Sequence, residues 1–240
     1  MNGINLNKQL LFTFIAIVIC LGVFEVSAID LLVEDFFFDV QLNSWMIDRH
    51  DALLKFIFYD SVKVLYVLFM LSLLATLIFF RKTKRVKNNY RGLWIVFLSV
   101  ILVPLTIGTL KSTTNVPCPK NIEHYGGNYP YVTVTSEYPE SFQQTSNIAC
   151  YPAGHASGGF ALMALIFLFK KPSTRKKVLA AAIATGWVTG GYKMLIGDHF
   201  LSHTVMSMLL AWFIILLVTK AVCAVTQGDE VLMERLLADE

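Results

Sequence analysis

Three of the five histidines in this 240-residue chain fall in two short segments. One is Tyr151-Pro152-Ala153-Gly154-His155, and the other is Gly197-Asp198-His199-Phe200-Leu201-Ser202-His203. An imidazole can attack phosphorus to form a phospho-enzyme, and a second imidazole can protonate the departing oxygen. A phosphate ester also needs cations and backbone N–H groups on its oxygens. A glycine turn that opens a helix presents such N–H groups at the positive end of the helix dipole, and Pro152-Ala153-Gly154-His155 has that form. Lys111 and Lys193 lie near the ends of apolar stretches and are the candidate cations. Phosphoryl transfer through such a set calls for neither a metal nor an organic cofactor.

The elements that must position these residues are membrane helices. Hydrophobic residues make up 55% of the chain and charged residues 15%, against roughly a quarter charged in soluble domains. A net charge of +3 is too small to argue for nucleic acid. About 20 apolar residues in a helix cross a bilayer, and six stretches qualify to differing degrees, near 9–29, 61–80, 92–110, 156–170, 178–197 and 200–224. The expected fold is a single all-α membrane domain, 1–240, with six transmembrane helices. The fifth stretch carries Gly186, Gly190, Gly191 and Lys193, and so is expected to pack against protein rather than lipid. The first apolar run is long enough to span and shows no convincing cleavage site, so it is read as a span and not a signal peptide.

Basic residues set the orientation. Segments 81–91 and 170–177 hold six and five Lys or Arg residues, which predicts that both are cytoplasmic. Both termini then lie inside. Segments 30–60 and 111–155 face the other side, with His155, His199, Lys111 and Lys193 beside them. The 30–60 stretch mixes acids with Phe36, Phe37, Phe38 and Trp45 and reads as an amphipathic helix at the interface. Residues 226–240 read as a short polar helix or a solvated tail. Cys118 and Cys150 share the outer loop. An oxidising compartment would bridge them, the alternative being two free thiols. Cys20 and Cys223 sit in apolar spans as small core residues.

The Pro-Ala-Gly-His turn and the Gly-Asp-His-Phe-Leu-Ser-His run resemble the type 2 phosphatidic acid phosphatase (PAP2) superfamily. Its motifs are Lys-x6-Arg-Pro, Pro-Ser-Gly-His and Ser-Arg-x5-His-x3-Asp. Lys111, six residues and then Cys118-Pro119 align with the first, Cys118 standing in place of Arg. Ala153 replaces Ser in the second. In the third, Tyr192 replaces Ser, Lys193 replaces Arg and His203 replaces Asp. The resemblance extends to a bacterial subgroup that includes lipid A phosphatases and phosphotransferases.

The resemblance implies a six-helix bundle with the outer loop over the active site. It makes His199 the nucleophile, His155 the acid and base, and His203 the residue orienting His199. Lys111, Lys193 and the backbone near Ala153 and Gly154 would bind phosphate, and Lys120 is the candidate to restore the charge missing at Cys118. The implied protein is a lipid phosphatase of the bacterial inner membrane, acting at the periplasmic face on undecaprenyl pyrophosphate, lipid A or phosphatidylglycerol phosphate. Its partners are then the lipid substrate and the bilayer, with no protein partner indicated. Two rival readings stand beside it. One is a lipid-to-lipid phosphotransferase, and the other is a non-catalytic lipid-binding or transport protein of the same fold.

Overall fold

The computed structural model describes residues 5–238. Helix α1 spans Leu6–Val26, started by the Asn5 side chain, which accepts from the Lys8 N–H at 3.1 Å. After the short α2 (Ile29–Glu34), a 3-10 turn leads into a small antiparallel hairpin of β1 (Phe38–Asp39) and β2 (Ser44–Trp45). Helix α3 (Ala52–Lys55) passes through a π-helical turn, Phe56–Asp60, into α4 (Ser61–Phe79). Then come α5 (Lys84–Thr113), a long irregular loop, α6 (Gly154–Ala161) with a 3-10 extension to Leu168, α7 (Pro172–Leu195) and α8 (Leu201–Ala238).

Helix α6 lies at the centre. It packs on α5, α7 and α8, around a core that includes Val100, Val103, Ile107, Phe160, Ala211 and Ile215. Small residues make this closeness possible. A Cβ on Gly159 would lie 2.6 Å from the Gly186 Cα, and the Phe160 ring fills the space where a Gly186 side chain would stand. The second glycine face of α7 meets α8, because a Cβ on Gly190 would lie 2.5 Å from the Thr204 methyl. These contacts explain Gly186 and Gly190 of the fifth apolar stretch, whose face of α7 is packed against protein; a Cβ on Gly191 would meet open space.

Four helical stretches are long and apolar enough to cross a membrane: Leu6–Val26, Ala52–Phe79, Lys84–Thr113 and Leu201–Thr226. Gly154–Leu168 is apolar but shorter, and α7 is not among the four. Helix α7 is less apolar because Gly186, Gly190, Gly191, Thr185, Thr189, Tyr192 and Lys193 dilute its apolar residues, and it begins early, at Pro172. Arg175, Lys176 and Lys177, read from sequence as loop, therefore lie in its first turns. Lys84, Arg85 and Lys87 likewise open α5. Both basic stretches meet at one end of the bundle, where Lys87, Arg91, Lys170 and Arg175 line a common cavity.

Two expectations need correction. Segment 30–60 is not one amphipathic helix. It breaks into α2, the hairpin and α3, because two of its acids have structural work: Asp30 bonds to the start of α8, and Asp51 caps α3 through the Leu54 N–H at 2.9 Å. Residues 226–238 form no separate short helix, since α8 continues through Ala238, and the last two residues lie outside the described residues.

Candidate active site

Helix α7 ends at Leu195 and α8 begins at Leu201, and the five residues between them are folded back on Lys193. The Lys193 carbonyl accepts from the Asp198 N–H at 2.8 Å and the His199 N–H at 3.2 Å. Gly197 makes this turn possible with φ of 71°, in the left-handed region that favours glycine, and the Trp45 ring occupies the space a side chain would need. His199 is thereby fixed at 3% exposure just ahead of α8, with His203 one turn later at 1%.

The two imidazoles face each other, Nδ1 to Nδ1 at 3.4 Å. The backbone of Cys150 also bonds the His203 ring. A carbonyl can only accept, so this contact favours a proton on the His203 ring. In the tautomer whose His203 Nδ1 accepts from the His199 Nδ1–H, the His199 Nε2 carries the free lone pair, as a nucleophile requires. Burial first, then the positive fields of His203, Lys111, His155 and Lys193, hold the His199 pKa well below the ordinary 6.5, so the ring is neutral at neutral pH.

The Asp198 side chain turns away from His199. Its Oδ1 accepts from the Lys120 Nζ at 2.6 Å and its Oδ2 from the Lys193 Nζ at 2.8 Å. Burial pushes this carboxyl up, but the two lysine hydrogen bonds and charges outweigh it and hold the group below the usual carboxylate value. Lys120 is brought in by the outer loop, its own N–H bonding the Gly197 carbonyl at 3.0 Å. Lys111 closes the set from the last turn of α5, its side chain 3.9 Å from where a Gly154 Cβ would stand. Its charge reaches both His155 and His199.

His155 is exposed on the first turn of α6, its ring 4.5 Å from that of Tyr59. The Lys193 ammonium lies 4.9 Å from the centre of the same Tyr59 ring. The structure thus brings His155, His199, His203, Lys111, Lys120 and Lys193 together at the bundle end opposite the basic stretches. One expected contributor drops out. The Ala153 N–H donates to the His203 carbonyl at 3.1 Å and the residue is fully buried, so the first-turn donors open to an anion begin at Gly154. The sulfurs of Cys118 and Cys150 are bonded to each other, with Cα atoms 5.3 Å apart. The bridge pins the loop strand carrying Lys120 to the strand leading into α6. His124 lies elsewhere, against Asp35 at 2.9 Å. Among the described residues no group of three His, Cys, Asp or Glu is placed to hold a metal ion.

Sequence reasoning missed three contributors from the first sixty residues. Tyr59 is turned onto His155 by the π-helical turn, a distortion frequent at functional sites. Asp30, 4% exposed, takes the Ser202 N–H at 2.8 Å and hydroxyl at 2.5 Å, capping the helix that carries His203. Arg49 reaches Asp198 at 3.5 Å. The available signal was weak: Arg49 and Lys55 are the two Lys or Arg residues in an acidic stretch.

Comparison with known proteins agrees with this geometry. Searches of curated proteins and of solved structures found no match. Residues 92–226, more than half of the chain, match the PAP2 superfamily. That span holds all three histidines and the lysines around them, and membership points to phosphatase chemistry. The chain belongs to the PAP2 superfamily.

Proposed function

We propose that this protein is a membrane lipid phosphatase that works through a phospho-histidine at His199. The observation that carries the reading is the buried His199–His203 pair, set within reach of Lys111 and beside the lysines that share Asp198. In the first step the His199 Nε2 attacks phosphorus. The bond to the lipid oxygen breaks, and that oxygen takes a proton from His155. Desolvation first, then Lys193 and Lys111, hold the His155 pKa below its ordinary value, so the charge of the bound phosphate must offset those lysines and let the ring take up a proton before it acts as acid. In the second step His155 removes a proton from water, the hydroxide attacks the phospho-histidine, and inorganic phosphate leaves with His199 restored. Lys111, Lys193 and Lys120 hold the phosphate oxygens as negative charge builds on them.

The substrate is a membrane-borne phosphate or pyrophosphate, such as undecaprenyl pyrophosphate, lipid A or phosphatidylglycerol phosphate. Apolar helices that expose most of their surface support a lipid setting. The clustering of basic stretches at the far end supports an outward-facing site with six crossings and both termini inside. Purified protein in detergent with a chelator present is expected to release phosphate from at least one of these lipids, and His199→Ala to abolish release. Unimpaired release by His199→Ala would refute the assigned nucleophile. Labelled phosphate appearing on a second lipid instead of in solution would make the protein a phosphotransferase. Inactivity across the panel would favour a non-catalytic role.

A further inference from the structure

We infer that Arg49, outside the region matched to the family, is a binding residue for the substrate phosphate. The inference rests on the proposed reading that this site takes a phosphate group. Arg49 is held at the rim of the site by its own backbone. Two residues before it, the Ile47 N–H bonds the Leu195 carbonyl at the end of α7 at 3.3 Å. Trp45 is seated on Gly197. On the other side, the Asp48 carboxylate takes the His50 N–H at 2.8 Å, and the Asp51 N–H bonds the Asp48 carbonyl at 3.0 Å. The residue therefore sits on a tight turn clamped to the segment that presents His199.

The guanidinium is oriented but barely engaged. Among the described residues its hydrogen bond is to the Asp198 Oδ1, at 3.5 Å, the outer limit of such a bond. That oxygen is already taken by Lys120 at 2.6 Å. A guanidinium carries five N–H donors in a planar fork shaped for two oxygens of a phosphate. Arg49, Lys120 and Lys193 contact Asp198 and Lys111 feels its charge, while Asp48 and Asp51 flank Arg49 with their own carboxylates and Asp51 and Asp60 act on Tyr192 beside Lys193. Four cations sharing the one carboxylate Asp198 leave N–H donors open to an anion with several oxygens. The Arg49 side chain, 42% exposed, is open to one arriving from outside, while Lys193 is 11% exposed and waits inside.

The test measures two quantities on the purified full chain: the Kd for inorganic phosphate, and KM and kcat for lipid phosphate. Arg49→Ala is compared with Arg49→Lys and with Lys55→Ala, an exposed cation on α3 that loses the same charge. Arg49→Ala is expected to raise both Kd and KM about tenfold, as the loss of a charged hydrogen bond implies, with kcat changed less than about threefold. Arg49→Lys should recover only part of this, because an ammonium lacks the fork. Lys55→Ala should stay within about twofold of wild type, as expected for a remote surface charge. The inference is overturned if Arg49→Ala stays within that same range, or if Lys55→Ala weakens binding equally. Should the wild type bind phosphate through Arg49 yet turn over no lipid, the proposed activity fails and this assignment stands. Should it turn over lipid with Arg49→Ala unaffected, this assignment alone fails. Absence of both binding and turnover removes both.

Discussion

The two parts of the chain differ sharply in how much they bury. In α1 and in Ala52–Phe79, 11% of the most apolar window is buried within the protein, against 39% in α5 and 33% in Leu201–Thr226. Helix α5 carries Lys111 and α8 carries His203, and both lie largely within the region matched to the family. The exposed ones precede it, yet they and the segment joining them reach the site three times: Asp30 on Ser202, Trp45 with Arg49 around the 197–198 turn, and Tyr59 on His155. The reacting groups are thus built into a glycine-packed core. The N-terminal segment holds that core from outside and shapes its mouth. Changes in the core should abolish chemistry, whereas changes in the outer segment should weaken binding, stability or pH tolerance.

The largest effect that sharpens this contrast is expected at Lys193. Its ammonium both binds Asp198 and is available to the phosphate oxygens. Lys193→Ala should therefore lower kcat/KM by roughly a hundredfold or more, on the scale of losing a transition-state donor, although the backbone carbonyl that holds the His199 turn is kept. Steady-state kinetics on a lipid phosphate would read this, and a loss under about fivefold would place the chemistry elsewhere. A smaller effect is expected from the outer segment. Asp30→Ala strips the cap from α8 and leaves the Ser202 N–H and hydroxyl buried without partners, which costs about 2 kcal/mol. The melting temperature in detergent should fall, with Asp30→Asn falling less. An unchanged melting temperature would mean that the cap does not hold α8.

The smallest effect concerns Glu34, fully buried with neither carboxylate oxygen hydrogen-bonded among the described residues. Burial first, then the charges of Asp30 and Asp35, push its pKa from 4.5 up to about 9. The folded chain therefore keeps a proton that the unfolded chain gives up above 4.5, and stability is lost as pH rises from there towards 9. Wild-type melting temperature should decline between about pH 5 and pH 9 more steeply than that of Glu34→Gln, which has no such proton to lose. Parallel slopes would show that Glu34 is ionised or solvated in the folded protein.

How legible this was in the sequence depended on distance along the chain. The helical stretches could be read because bilayer-length apolar runs are local signals. The Pro-Ala-Gly-His turn and the spacing of His199 and His203 are local too, so the histidines could be singled out directly. Lys111 needed the resemblance to be preferred as a phosphate ligand, since a lysine at a helix end otherwise reads as a snorkelling side chain. What stayed hidden was set by packing. Asp198 links Lys120 with Lys193 across the Gly197 turn, and neither partner could be read from its place beside His199. The Ala153 N–H was taken by a carbonyl fifty residues later in the chain. The 30–60 acids suggested a water-facing surface, and Asp30 and Glu34 lie buried.

The most direct test is to quench wild-type protein during turnover of a phosphorus-labelled lipid phosphate and locate the label by mass spectrometry. Acid-labile label on the His199 peptide, absent from His199→Ala, is the expected result. Turnover with no label on the protein, or label on a residue other than His199, would contradict the account.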